Sequence, residues 1–290
     1  LILFCDLFCL RTGRERTMDL RKQFQAELFT KVSKGFDQSG PQFFSYFGKV
    51  LADIAGINCG FTVLDVGCGR GASLIPAAKL VGNTGKVVGI DIAEGMITEL
   101  EKDVEKLNLK NIELITGDIE QFEFSDRFDV ILCGFSIAAF PDPDRVFNKF
   151  RQILKPDGSV AVSNWHKDAH KGWEWMSKAI GDNITSVDTL LKTTGEEYEF
   201  DTSETMHIFL KKMGLKNIEV SVIESLFHFR NEEEWWENSL NNGMRGTLDR
   251  MDDKSLRKFR KTAFVKLSEM KTEKGIPYPA KVISGVGQNS

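Results

Sequence analysis

Much of what would classify this chain at a glance is missing from it. No apolar run reaches the roughly twenty residues a membrane helix needs. The apolar opening, Leu1-Ile2-Leu3-Phe4-Cys5-Asp6-Leu7-Phe8-Cys9-Leu10, lacks a basic start, and Arg11, Arg14 and Arg16 follow it instead of a small-residue cleavage site. Residues 1–17 are therefore read as an extension upstream of a start at Met18, outside the folded part. Basic excess is absent too: the net charge is -4, which argues against a nucleic-acid partner. The 5 cysteines, Cys5, Cys9, Cys59, Cys68 and Cys133, are odd in number and lack zinc-type spacing, so reduced thiols in a cytoplasmic protein are expected. Of the 4 histidines, His166 and His170 are close enough to share a helix face. No third ligand or adjacent Glu joins them, and no metal site is expected. No internal repeat or low-complexity run is visible, and 290 residues can bury a core that needs no staples.

What is present is organised around Val63-Leu64-Asp65-Val66-Gly67-Cys68-Gly69-Arg70-Gly71. An apolar run with the form of a buried parallel strand enters this stretch, and a helical pattern to Val81 leaves it. Glycines at alternate positions let a ligand approach the backbone, and the N–H groups opening the next helix are expected to point at any anion it carries. Strand, glycine loop and helix in that order suit a nucleotide-type ligand. Gly67, Gly69 and Ala72 also satisfy the loose dinucleotide pattern, with Asp91 about twenty residues on, which keeps a nicotinamide-dependent oxidoreductase open as an alternative.

Strand and helix signals then alternate. Lys86 to Asp91, Asn111 to Thr116, Phe128 to Cys133 and Ser159 to Trp165 read as strands. Ile97, Leu100, Val104 and Leu107, then Val146, Phe147, Phe150, Ile153 and Leu154, mark helix faces between them. Such βα repetition implies a doubly wound parallel sheet. Pro76 fits only if the first helix begins near Ser73, so that its missing N–H falls in the first turn. Residues 18–56 form a Phe-rich helical segment, and two stretches, 168–200 and 231–275, interrupt the alternation with Trp-bearing helices. A helix is expected from Thr202 to Lys212, and late strands at 217–229 and 278–284.

Here the chain resembles the class I S-adenosylmethionine-dependent methyltransferases, small-molecule and quinone-biosynthesis-like in type. Val-Leu-Asp-Val-Gly-Cys-Gly-x-Gly is their usual first motif. The resemblance covers roughly residues 36–286 and implies a Rossmann-like seven-stranded sheet, mostly parallel with an antiparallel last strand, plus a helical lid (18–56) and cap inserts. It implies S-adenosyl-L-methionine as cofactor and places Asp65, Gly67, Cys68, Gly69 and Gly71 beside it. Asp91, with Ile92 and Met96 nearby, would bond the ribose hydroxyls, since a carboxylate accepts two bonds from a diol. Gly117, Asp118 and Ile119 would meet the adenine, and Cys133-Gly134-Phe135 the methionine ammonium. Lys155-Pro156-Asp157-Gly158 reproduces the turn before the fifth strand. Two features depart from the family. The His that many members carry after the fourth strand is replaced by Ser136-Ile137-Ala138-Ala139-Phe140, and no Asn-Pro-Pro-Tyr-like run appears.

The expected reaction is in-line transfer of a methyl from the sulfonium to a small, partly apolar acceptor, with oxygen favoured and carbon or nitrogen open. A non-catalytic cofactor-binding partner is the further alternative. Phe43, Tyr46, Trp165, Trp173, Trp235 and Trp236 are the expected substrate-pocket residues, and Phe36 a lesser lid candidate. His166 is the candidate base. Alternation along the fifth strand sets it in line with Val160, Val162 and Asn164, and ligands sit beyond the carboxyl ends of such strands.

Overall fold

In the computed structural model, which describes residues 18–183 and 200–289, the alternation becomes a seven-stranded sheet. Its strands are β1 (Thr62–Val66), β2 (Lys86–Asp91), β3 (Ile112–Thr116), β4 (Phe128–Gly134), β5 (Leu154–Trp165), β6 (Lys216–Phe229) and β7 (Ile276–Gln288). They lie in the order β3-β2-β1-β4-β5-β7-β6, with β1 to β5 parallel and β7 antiparallel to both of its neighbours. The 1–17 extension and residues 184–199 of the first insert lie outside the described residues.

Among the described residues, α1 (18–32) and α2 (Phe43–Ile54) precede the sheet. Between strands come α3 (Leu74–Val81), α4 (Glu94–Lys106), α5 (Pro143–Ile153), α6 (Glu174–Gly181) and α7 (Ser203–Lys212). Finally α8 (Glu232–Leu240), α9 (Met244–Leu248) and α10 (Asp253–Met270) fill the excursion from β6 to β7. Local signals set several of these boundaries. Ser73 precedes α3, so Pro76 falls in the first turn, where helix donors have no partner within the helix. Asp142 caps α5 ahead of Pro143, and Thr202 with Thr205 forms a capping box on α7. The turn before β5 is absorbed into that strand's range. Leu154 already pairs with Phe128, Asp157 takes φ 60, and regular pairing resumes between Ser159 and Val130.

The period of two distributes the sheet's side chains between two apolar layers. Leu64, Val66, Ile131, Val160, Val162 and Ile283 pack with α5 and α7 through Phe147, Phe150, Phe209 and Leu210. Val63, Val87, Val130, Leu132 and Ala161 face the other way, onto Leu51 of α2, Leu74 and Ala77 of α3, and Leu100 of α4. A third cluster, of α6, α8 and α10 with Phe43, Phe229 and Tyr278, sits over one end of the sheet. Because β7 is antiparallel, its first residues reach the same edge as the carboxyl ends of β1 to β5.

Candidate active site

A cavity of about 480 Å³ opens along that edge, and it has two chemically different ends. At the first end β1 stops at Val66 and the chain turns through Gly67 and Gly69, at φ 66 and 51. A Cβ on Gly67 would lie 2.5 Å from that of Ser136, whereas one on Gly69 would meet nothing within 4 Å. The backbone of Gly69 is therefore bare toward the cavity it lines. Cys68, Asp91, Ile92 and Met96 line this end with it, as do Gly117, Asp118 and Ile119 beyond β3. Phe135, left-handed at φ 57 where β4 ends, also lines the cavity.

The loop's donors are taken up by acceptors of the protein itself. Gly67 and Cys68 donate to the Ile90 carbonyl at 2.8 and 3.2 Å, Gly71 donates to Cys68 O at 2.8 Å, and Gly69 donates to Asp91 Oδ2 at 2.9 Å. Asp91 Oδ1 takes the Ala93 N–H at 2.8 Å. Beneath the loop the Asp65 carboxyl is fully buried and accepts from Ser73 Oγ at 2.7 Å. Burial pushes this carboxyl up to about 7, and the Asp91 charge adds to the rise against the Ser73 bond. Asp91 is raised too, by burial against its two backbone bonds. Loop donors satisfied internally, over two buried acids, suit a cation better than a pyrophosphate.

Segments before the sheet close this end. Lys22 of α1 reaches Asp118 at 2.8 Å and Glu120 at 2.7 Å. Arg70 holds Asp103 and donates to the carbonyls of Ser33 and Lys34, at 2.9 and 3.2 Å. The buried Asp37 caps α2 from a distance, taking the N–H groups of Phe44 and Ser45 at 3.3 and 2.7 Å; Gln42, at the formal cap position, makes no such bond.

The other end is aromatic. Phe43 and Phe44 of α2, Phe135, Trp165, Phe229, Trp235 and Tyr278 surround it, with Met176 and Ile180 of α6 and Met244 of α9. Its polar groups are His170, Tyr278, Asn238, Ser239 and Asn242. The amides are positioned by one another: Asn238 donates to Ser39 O at 3.0 Å, and Asn242 donates to Asn238 Oδ1 at 3.1 Å.

Some expected residues stand elsewhere. Asp65, Gly71 and Cys133 lie one layer behind the wall; Cys133 contacts Ser136 Oγ at 3.2 Å, and burial pushes its thiol up to about 12. Tyr46 is 45% exposed and packs edge-on to Phe227 at 5.5 Å, because it points from the side of α2 opposite Ser45 and Gly48. Trp236, one step round α8 from Trp235, faces Phe259 and Phe264 instead of the cavity. Trp173 is buried behind the wall, edge-on to Tyr278 at 5.1 Å. His166 is displaced by alternation itself. Trp165 takes the cavity side, while His166 Nδ1 accepts from Asp168 N at 3.1 Å and the His166 backbone N–H donates to Lys281 O at 3.0 Å. Reading the sequence missed Lys22, Asp37, His170, Tyr278, Asn238 and Asn242 as lining residues, none of which carries a local motif. Among the described residues no cluster of three His, Cys, Asp or Glu could hold a metal.

A model of the methyltransferase domain matches residues 57–221, more than half of the chain. The chain belongs to the methyltransferase domain family. S-adenosylmethionine is the methyl donor in this class, and the acids and bare glycine backbone of the first end fit its cationic charge and extended shape. Aklanonic acid methyltransferase DauC of Streptomyces sp. (strain C5) is 39% identical over 144 residues, covering 49% of this chain and 66% of that protein. Demethylmenaquinone methyltransferase of Lactobacillus johnsonii is 29% identical over 211 residues, covering 66% of this chain and 84% of the relative. The YcgJ protein of Bacillus subtilis shares the fold, with a TM-score of 0.55 at 15% identity over 84% of this chain and 98% of that one. The methyltransferase match ends within β6, so α8, α9, α10 and β7, which supply Trp235, Asn238 and Tyr278, lie beyond it.

Proposed function

We propose that this protein transfers a methyl group from S-adenosylmethionine to a neutral, planar, largely aromatic small molecule, with a hydroxyl oxygen as the preferred acceptor atom. The observation that carries the reading is the continuous cavity: acids and bare backbone at one end, uncharged aromatic rings at the other. The relatives' names point the same way, one to aklanonic acid and one to demethylmenaquinone.

The cofactor supplies a methyl on a sulfonium, which a lone pair displaces in line. The protein's part is alignment. Asp91 faces the site for the ribose and Asp118 that for the adenine, and Phe135 marks the boundary between the two ends. Phe43, Trp165 and Trp235 hold the acceptor's faces, and Asn238 and Asn242 its edge. Proximity of this kind supplies several kcal/mol, up to about 7–11, of barrier lowering. Residues 18–56 form the lid over the donor end, and 168–183 with 231–275 form the acceptor cap.

Calorimetric titration with S-adenosylmethionine and, separately, with NAD and NADP tests the donor. A mass-spectrometric screen of hydroxylated naphthalenes and anthraquinones, read as S-adenosylhomocysteine release, tests the acceptor. Binding of NAD(P) in preference to S-adenosylmethionine would sink the reading. Cofactor binding without release on any acceptor would make the chain a binding partner only.

A further inference from the structure

We propose that His170, held at its Nδ1 by the Tyr278 hydroxyl, is the general base that takes the proton from a hydroxyl acceptor. This rests on the methyl-transfer reading above and adds the residue that removes the proton. Both side chains line the aromatic end, and Tyr278 Oη lies 3.3 Å from His170 Nδ1. Neither ring is loose. His170 lies against Trp165 at 5.3 Å, and Tyr278 stacks on Phe43 at 5.5 Å with Trp173 and Phe229 edge-on at 5.1 and 5.5 Å. With Nδ1 engaged, Nε2 is the nitrogen left for a ligand.

The carboxylates of the cavity are committed. Asp91 holds two backbone N–H groups, Asp118 holds Lys22, and Asp37 caps α2. Burial raises the Tyr278 phenol, which keeps its proton. The groups facing His170 are Tyr278 from β7 and the uncharged Trp165 from β5; in its own turn, Asp168 donates its backbone N–H to His166 Nδ1. Burial alone lowers His170 from the ordinary 6.5, so the imidazole is neutral and able to accept at neutral pH. In the base-competent tautomer Nδ1–H donates to Tyr278 Oη. The acceptor's O–H proton passes to Nε2 as its oxygen bonds the methyl carbon and the carbon–sulfur bond breaks, with that electron pair staying on sulfur. The products are the methyl ether, S-adenosylhomocysteine and an imidazolium that returns its proton to water.

Two measurements test this. The first is an NMR titration of the imidazoles without any ligand, with His170→Gln identifying the signal. The His170 pKa should lie below 6.5 and fall further in Tyr278→Phe, where the imidazolium loses its acceptor. A rise in Tyr278→Phe would mean that the phenol donates to Nδ1 and leaves Nε2 protonated, which overturns the proposal. The second compares 2-naphthol, protonated at neutral pH, with 2,4-dinitro-1-naphthol, already ionised. His170→Gln should lower kcat on 2-naphthol by roughly 10²–10⁴, abolish the rise of kcat/KM with pH, and spare the ionised substrate and the cofactor Kd. Equal losses on both naphthols would mark a packing role and overturn it. Failure of the unmodified protein to bind S-adenosylmethionine is a separate result, and it strikes the methyl-transfer reading itself.

Discussion

Asp65 should make cofactor binding depend on pH, although it touches no ligand. Its carboxyl is 0% exposed, shares one oxygen with Ser73 and feels the charge of Asp91. Raising it from 3.8 to about 7 corresponds to on the order of 4 kcal/mol. For the protein alone, the folded value lies above the unfolded one. The contribution to stability is therefore fully present below 3.8 and lost as pH rises through about 7. A cation bound beside the loop reverses this preference by favouring the ionised carboxylate. Below pH 7, binding must then release a proton, and the Kd for S-adenosylmethionine should fall about tenfold per pH unit. Calorimetry between pH 5 and 6.5, where the ligand's own ammonium stays protonated, in two buffers of different ionisation enthalpy, reads both the slope and the proton. Asp65→Asn should flatten the slope and remove the buffer dependence. A Kd that does not change over this range, or an unchanged slope in Asp65→Asn, would refute the argument.

Three further outcomes follow from the same geometry. Gly67→Ala should unfold at markedly lower temperature, since its Cβ would sit 2.5 Å from that of Ser136; Gly69→Ala meets nothing within 4 Å and should lose only about 1–2 kcal/mol of stability while weakening cofactor binding about tenfold. Trp235→Ala should raise the acceptor KM with cofactor affinity intact, and Trp236→Ala should change neither affinity, while Trp173→Ala should cost about 3–5 kcal/mol in urea unfolding as a buried cavity opens. Lys22→Met removes the cation shared by Asp118 and Glu120, so limited proteolysis should cut α1 faster; an unchanged cleavage rate would deny α1 the role of lid.

The donor end was legible because its chemistry is local. Residues that must meet the cofactor sit at strand ends, and strand, loop and helix write their periods and glycines into a few consecutive positions. Asp91, Asp118 and Phe135 could each be numbered from the sequence by this rule, and each lines the cavity. What the motif could not convey was where the loop's N–H groups go. That depends on Ile90 and Asp91, more than twenty residues later in the chain.

The acceptor end resisted for a different reason, and the two histidines show it. Both the choice of His166 and its place outside the cavity lining come from the period of two. Alternation set His166 beside Val160 and Val162, and those residues face α5 and α7, so the same alternation carries His166 away from a cavity that takes Trp165. His170 has no period to reveal it, because it lies in a turn between β5 and α6. Its partner Tyr278 stands at the beginning of a strand. It reaches the site only because β7 runs antiparallel, which brings a strand's first residues to the edge where the other strands end. A rule that looks beyond carboxyl ends passes over it. Where a site is shared between a repeated motif and inserted helices, sequence reasoning finds the half whose geometry is local. His170 and Tyr278 are 108 positions apart in the chain, and only the folded sheet brings them together.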